Sequence, residues 1–199
     1  MDSTNTGPTA TFTFDPPERI ANWRPLVHWL LAIPHLVIVN VLQTVSEVLA
    51  IISWFAILFT GKLPSGLASF QAMYLRYTLR TFTYFGFLRE EYPPFGFATV
   101  NEDPGDDSRV RVNAVPLLEG RNRLTTAFRL ILAIPQIIVL VFLGIAVFFV
   151  GIVAFFAVLF TGRWPAGLRD FVLGVGRWWL RVNAYILLLT DDYPPFSLD

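Results

Sequence analysis

Two stretches of the chain are apolar almost without interruption. From Leu26 to Phe59 most positions are hydrophobic, and from Leu130 to Phe160 only Gln136 breaks a run of aliphatic, aromatic, Gly and Pro residues. Each run exceeds the roughly 20 residues that carry a helix across about 30 Å of hydrocarbon. The pattern predicts membrane helices near residues 35–60 and 136–161, with Pro34 and Pro135 introducing a kink or a short interfacial approach at their starts. Both runs stop at Thr-Gly (Thr60-Gly61 and Thr161-Gly162), and a proline follows three residues on (Pro64 and Pro165). Glycine suits the left-handed position after a helix, and proline suits the first turn of the next, so each run is expected to enter a helical hairpin.

The returning segments, Ser65–Leu88 and Ala166–Leu189, are also long enough to cross a bilayer, but each carries two arginines. A central arginine costs roughly 2.5–3.5 kcal/mol on insertion scales. Two placements stay open, a second span buried against the first or a helix lying in the interface, and the spanning hairpin is the leading expectation.

The two halves are copies of one unit. Setting residue n against n+101 aligns Leu31–Phe95 with Leu132–Phe196 without a gap, and 25 of 65 positions are identical. The matches include Leu-Ala-Ile-Pro (31–34 and 132–135), Phe-Thr-Gly (59–61 and 160–162) and Tyr-Pro-Pro-Phe (92–95 and 193–196). The alternating stretches Thr11–Phe14 and Arg109–Val112 read as strands ahead of each unit. The resulting expectation is an all-α integral membrane protein of two tandem helical-hairpin repeats with about four membrane helices and short extramembrane strands. Its segments are a polar N-terminal piece (1–18), repeat 1 (19–97), an acidic linker (98–120) and repeat 2 (121–199).

Equal flanking features favour two parallel halves, related by a pseudo-twofold along the membrane normal. Eight arginines (19, 24, 89, 109, 111, 121, 123, 129) lie beside the termini and linker, against Lys62, Arg163 and Arg169 at the turns. That bias predicts a multi-pass protein of the plasma (inner) membrane with both termini in the cytoplasm.

Composition agrees with a membrane setting: 54% of the 199 residues are hydrophobic, 15% are charged, and the mean hydropathy is +0.55. Fifteen basic residues balance fifteen acidic ones, which leaves no cationic excess for nucleic acid. With no cysteine there is no thiolate metal site or cysteine nucleophile. No catalytic motif, metal site or cofactor is expected.

The candidate functional residues follow from what the duplication kept and changed. Arg76, Arg80 and Tyr84 recur as Arg177, Arg181 and Tyr185, at the i, i+4 spacing that makes one helix face. Such faces could hold helix against helix, or bind anionic lipid or an acidic partner. In the first helix Asn40, Gln43, Thr44 and Glu47 form a polar stripe, whereas their counterparts Val141, Gly144, Ile145 and Phe148 are apolar. Glu47 lies as far from the turn as Arg76, so an ion pair with Arg76 or Arg80 is expected. His28 and His35 are expected to pack at the interface, since their counterparts Arg129 and Gln136 do not suit a shared metal site.

The blocks Leu-Ala-Ile-Pro-His (31–35), Ala-Ile-Leu-Phe-Thr-Gly-Lys-Leu-Pro-Ser-Gly-Leu (56–67), Arg-Trp-Trp-Leu-Arg-Val-Asn-Ala-Tyr (177–185) and Leu-Thr-Asp-Asp-Tyr-Pro-Pro-Phe-Ser-Leu (189–198) resemble a bacterial membrane-protein family. It is the domain of unknown function four-three-eight-nine, common in actinobacteria. The resemblance covers nearly all of residues 19–198, and fourteen arginines against one lysine fit such a high-GC source. It implies class and location, with no activity to carry over. The functional expectation is a non-enzymatic membrane scaffold or accessory subunit whose arginine faces bind membrane lipids or other membrane-protein subunits. The alternative is a small transporter or channel using the stripe from Asn40 to Glu47.

Overall fold

The computed structural model describes residues 10–199; of the polar N-terminal piece, residues 1–9 lie outside the described residues. The chain is mostly helical. In order it forms strand β1 (Ala10–Phe14), helices α1 (Arg24–Leu31), α2 (Ile33–Thr60) and α3 (Ser65–Phe85), strand β2 (Val110–Ala114), and helices α4 (Arg123–Ala127), α5 (Arg129–Thr161) and α6 (Ala166–Ile186). Helices α2 and α5 are long and apolar enough to cross a membrane.

The hairpin turns follow the same local chemistry in both halves. Gly61 and Gly162 adopt φ of 72° and 66°, and their amides donate to Ile57 O and Val158 O. The preceding threonines, Thr60 and Thr161, donate their hydroxyls back to Ala56 O and Ala157 O and accept the amides of Lys62 and Arg163. Pro64 and Pro165 then cap the returning helices. The prolines of the first helices act differently. Pro34 falls in the first turn of α2, just after a break at Ala32, whereas α5 runs through Pro135 and breaks earlier, at Phe128.

α3 and α6 end alike, on residues that sequence gave no reason to single out. Phe87 and Leu188, 101 positions apart, both take positive φ, and the next amides reach back to Thr83 O and Ala184 O. This is the six-to-one closure usually completed by glycine.

Three layers result. β1 and β2 pair antiparallel, with Phe12 opposite Val112, and bury Ala10, Phe12, Val110, Val112 and Ala114. β1 packs on α6 and β2 on α3, so each strand covers the returning helix of the unit it does not precede. α3 is buried along most of its length, while α2 packs against α3 and α5 against α6. The most apolar stretches of α2 and α5 are only 11% and 6% buried. Their free surface carries Val37, Val41, Val48, Ile51, Phe55 and Phe59 on α2, and Ile138, Phe142, Phe149, Val153 and Phe160 on α5.

The two halves run in opposite directions, not in parallel as the flanking features suggested. Ile20 N–H donates to Gly162 O, and Asn22 Nδ2 to Leu159 O, so repeat 1 begins at the turn of repeat 2. Reciprocally, Arg121 N–H donates to Gly61 O and Trp54 Nε1 to Thr126 O. The cause is the strand pair: two strands preceding equivalent units and pairing antiparallel turn those units head to tail.

The turn glycines differ in what surrounds them. A Cβ on Gly162 would stand 2.9 Å from Ile20 O, whereas one on Gly61 would meet only the mobile Arg123 guanidinium at 3.4 Å. Gly61→Ala is expected to cost about 1–2 kcal/mol from the left-handed backbone alone, and Gly162→Ala more, read as unequal falls in thermal midpoint.

Candidate functional site

The recurring arginines of the returning helices point toward the strand layer, where they meet the chain segment that follows each Tyr-Pro-Pro-Phe block. Arg76 donates to the carbonyls of Val100 (2.9 Å) and Glu102 (3.0 Å), and to those of Ala98 and Val112. Arg80, 2% exposed, binds Asp103 at 2.9 Å and Asp106 at 2.8 Å. Arg89 donates to both oxygens of Asp107 at 2.7 Å and to Arg80 O at 3.0 Å. Three buried guanidinium groups thus face three carboxylates of the acidic linker. Burying such charges is costly, and only close opposite charges with filled hydrogen bonds offset it.

The same carboxylates organise the strand. Asp103 accepts Val112 N–H and Gly105 N–H, and Asp107 accepts Arg109 N–H and Val110 N–H. Gly96 is required here for closeness: a Cβ on it would lie 2.4 Å from Asp106 Oδ2, in the path of the Arg80 contact.

In repeat 2 the corresponding segment is the C-terminal tail. Arg177 Nε donates to Leu198 O at 3.2 Å, and Arg181 donates to the carbonyls of Ser197 and Asp199. Both arginine faces therefore hold the protein's own chain. Arg76 and Arg80 are buried under the linker, so of the two readings their spacing left open, the fold does not present them as an open face for lipid or an acidic partner.

The expected Glu47 ion pair does not form. Glu47 accepts Gln43 Nε2 at 2.9 Å on the exposed side of α2, while Arg76 is 2% exposed on the far side of α3. Equal distance from the turn did not set equal depth: Ser46 meets Gln71 and His35 meets Tyr77, so α3 residues well before Arg76 stand level with Glu47. Asn40, Gln43, Thr44 and Glu47 all lie exposed on α2, and Thr44 donates back to Asn40 O. The buried contact beside Glu47 is instead Ser46 with Gln71, whose Nε2 also donates to Ser46 O at 2.8 Å.

Tyr84 and Tyr185 serve the first helices rather than the arginine faces. Tyr84 stacks on His28 at 4.3 Å, and Tyr84 O contacts His28 Nδ1 at 2.9 Å. At the matching place Arg129 lies over the Tyr185 ring at 4.5 Å and donates to Tyr185 O and Thr190 O. His35 with Tyr77 is likewise replaced by Gln136 with Trp178, at 2.6 Å and 2.7 Å. The duplication has kept contacts whose chemistry changed.

Sequence reasoning missed a second buried cluster at the start of repeat 2. Arg121 binds Asp191 at 2.7 Å and Leu117 O at 2.9 Å, and Arg129 shares Asp191. The recurrence of acid before Tyr-Pro-Pro-Phe was a signal for it: Glu90 in repeat 1 accepts Ala21 N–H as Asp191 accepts Asn122 N–H. Among the described residues no group of three or more His, Asp or Glu side chains is arranged to hold a metal ion.

Burial raises the Asp107 carboxyl, but the Arg89 hydrogen bond and charge with two backbone amides overcome this and leave it below its usual 3.8. Asp191 behaves alike through Arg121 and Asn122 N–H. Burial lowers His28 from 6.5, against the opposing bond to Tyr84 O. The unfolded chain takes up protons at these groups before the folded one does, so stability falls in both windows as pH drops. Acid titration of the thermal midpoint is expected to show loss beginning below about 6.5, with a steeper loss below about 3.8. Asp107→Ala strands Arg89 and is expected to cost on the order of 3–5 kcal/mol.

A family model described as a domain of unknown function (DUF4389) matches the chain twice, over residues 22–96 and 123–197. The chain belongs to this family, and the two matches are its tandem repeats. No curated protein and no solved structure matches it.

Proposed function

We propose that this two-repeat member of the DUF4389 family is a non-enzymatic scaffold or accessory subunit of the plasma membrane. It lies in one leaflet, with α2 and α5 against hydrocarbon and the strand layer in water. The observation that carries the reading is the unequal surface. One side is an apolar floor of two helices, and the other is a sheet whose outward residues are Thr11, Thr13, Arg111 and Asn113.

Two features favour helices lying along the bilayer over helices standing across it. The strands rest on the middle of α3 and α6, where Arg76 bonds Val112 O, so upright helices would carry Arg111, 45% exposed at its side chain, toward bilayer mid-depth. At 33 residues α5 is also about 50 Å long, well beyond the roughly 30 Å hydrocarbon thickness. Lying flat, the chain keeps its linker and turns on one face, so the basic residues of both sets counted above fall on the same side, which suits the cytoplasmic face. Partner membrane proteins and lipids meet the apolar floor, since the arginine faces are engaged by the linker and tail. The transport alternative has a single polar wall, because the α5 positions matching Asn40, Gln43, Thr44 and Glu47 are apolar.

The absence of native cysteine makes the arrangement directly testable. Thr13→Cys, Lys62→Cys and Arg163→Cys, each expressed in cells, are probed with an impermeant maleimide in right-side-out and inverted vesicles. All three are expected to react from the same side. Reaction of Lys62→Cys and Arg163→Cys from opposite sides would indicate upright inverted spans, and Thr13→Cys opposite both would restore parallel hairpins. Failure of the protein to float with lipid vesicles would overturn the membrane reading itself.

A further inference from the structure

The two repeats differ most where each first helix meets its returning helix. In repeat 1 the space is filled by Ser46, Gln71 and Tyr74; Tyr74 is 5% exposed, and Ser46 and Gln71 are bonded together. The counterparts in repeat 2 are Val147, Val172 and Val175, and there the structure is open. A cavity of about 320 Å³ lies between α3, α5 and α6, with Phe12 and Gly176 in its lining. A second hollow of about 550 Å³ shares Phe82, Leu88, Gly144, Val147 and Val172 with it and extends toward Trp29 and Trp164. Together they form one groove.

We propose that this groove is a binding site for an acyl chain of a membrane phospholipid. The lining is almost wholly apolar, and its polar groups are already engaged: Trp29 Nε1 donates to Leu26 O, Trp164 Nε1 to Phe87 O and Thr83 Oγ1 to Arg80 O. An apolar cavity of this kind repels water and gains by taking hydrocarbon. A partner helix, about 10–12 Å across with side chains, is too wide for it, whereas a single alkyl chain follows its length. The mouth is edged by Gly144 and by Phe82, 56% exposed, and continues into the exposed apolar surface of Val141, Ile145 and Phe148. The site rests on the membrane placement proposed above, because that placement puts lipid chains at its mouth. The duplication has thus yielded one plugged copy and one open copy.

The test uses the full chain in vesicles containing phosphatidylcholine with a diazirine at mid-chain, photolysed and mapped by peptide mass spectrometry. Groove adducts are expected on Leu79 and 172–179, beside adducts on the outward residues Phe149 and Phe156. In Val175→Tyr combined with Val172→Gln, which copies repeat 1, the groove adducts are expected to fall by roughly tenfold, a loss of about 1.4 kcal/mol in chain binding. Phe149 and Phe156 should label as before. Outward labelling without groove labelling in the wild type, or groove labelling unchanged in the filled variant, overturns the acyl-chain site while leaving the membrane reading intact. No labelling on either surface overturns both. The wild-type map decides the matter alone if the variant does not fold.

Discussion

A guanidinium group cannot be taken out of water without an answering charge or a full set of acceptors, and this structure buries several. That constraint explains why the segments after each Tyr-Pro-Pro-Phe block double back over the returning helices. Tyr92 and Phe95 pack on His35 at 4.7 Å and 4.4 Å, and Phe196 packs on Trp178 at 5.7 Å. Each block thereby delivers extended chain to the arginines behind it. In repeat 1 the delivered segment supplies Asp103 and Asp107, whose spare lone pairs also fasten β2. Removing the arginines would therefore release the linker and the sheet together.

Duplication left the two halves with one backbone and two side-chain economies. Where repeat 1 stacks a neutral imidazole, repeat 2 stacks a cation; where repeat 1 joins histidine to a phenol, repeat 2 joins an amide to an indole. Backbone acceptors such as Tyr84 O and Tyr185 O stay in place, and any donor of suitable reach can use them.

The hairpins, their glycine turns and the repeat could be read from the chain because each rests on local spacing: an unbroken apolar run, Thr-Gly then Pro, a fixed offset of 101. What could not be read was relational. Nothing in the two copies states whether they run together or oppositely; that is decided by strands pairing Phe12 with Val112 across a hundred residues. The partners of Arg76 and Arg80 were hidden for the same reason. Counting from the turn sets Glu47 level with Arg76, but α2 and α3 meet in another register, Ser46 on Gln71, and Glu47 faces outward; nor does an acidic linker say which of its carboxylates turn inward. Phe87 and Leu188 were unreadable as helix terminators because their conformation is one that glycine normally signals.

The crossing of the strands has an implication for how such a chain is made. β1 is synthesised first, yet its hydrogen-bonding partner is β2 and the helix beneath it is α6. The leading strand has no partner until β2 has been made, and no helix beneath it until α6 follows. A single unit would hold the same strand with nothing in its own body to lay it on; carrying both units on one polypeptide makes the closure intramolecular.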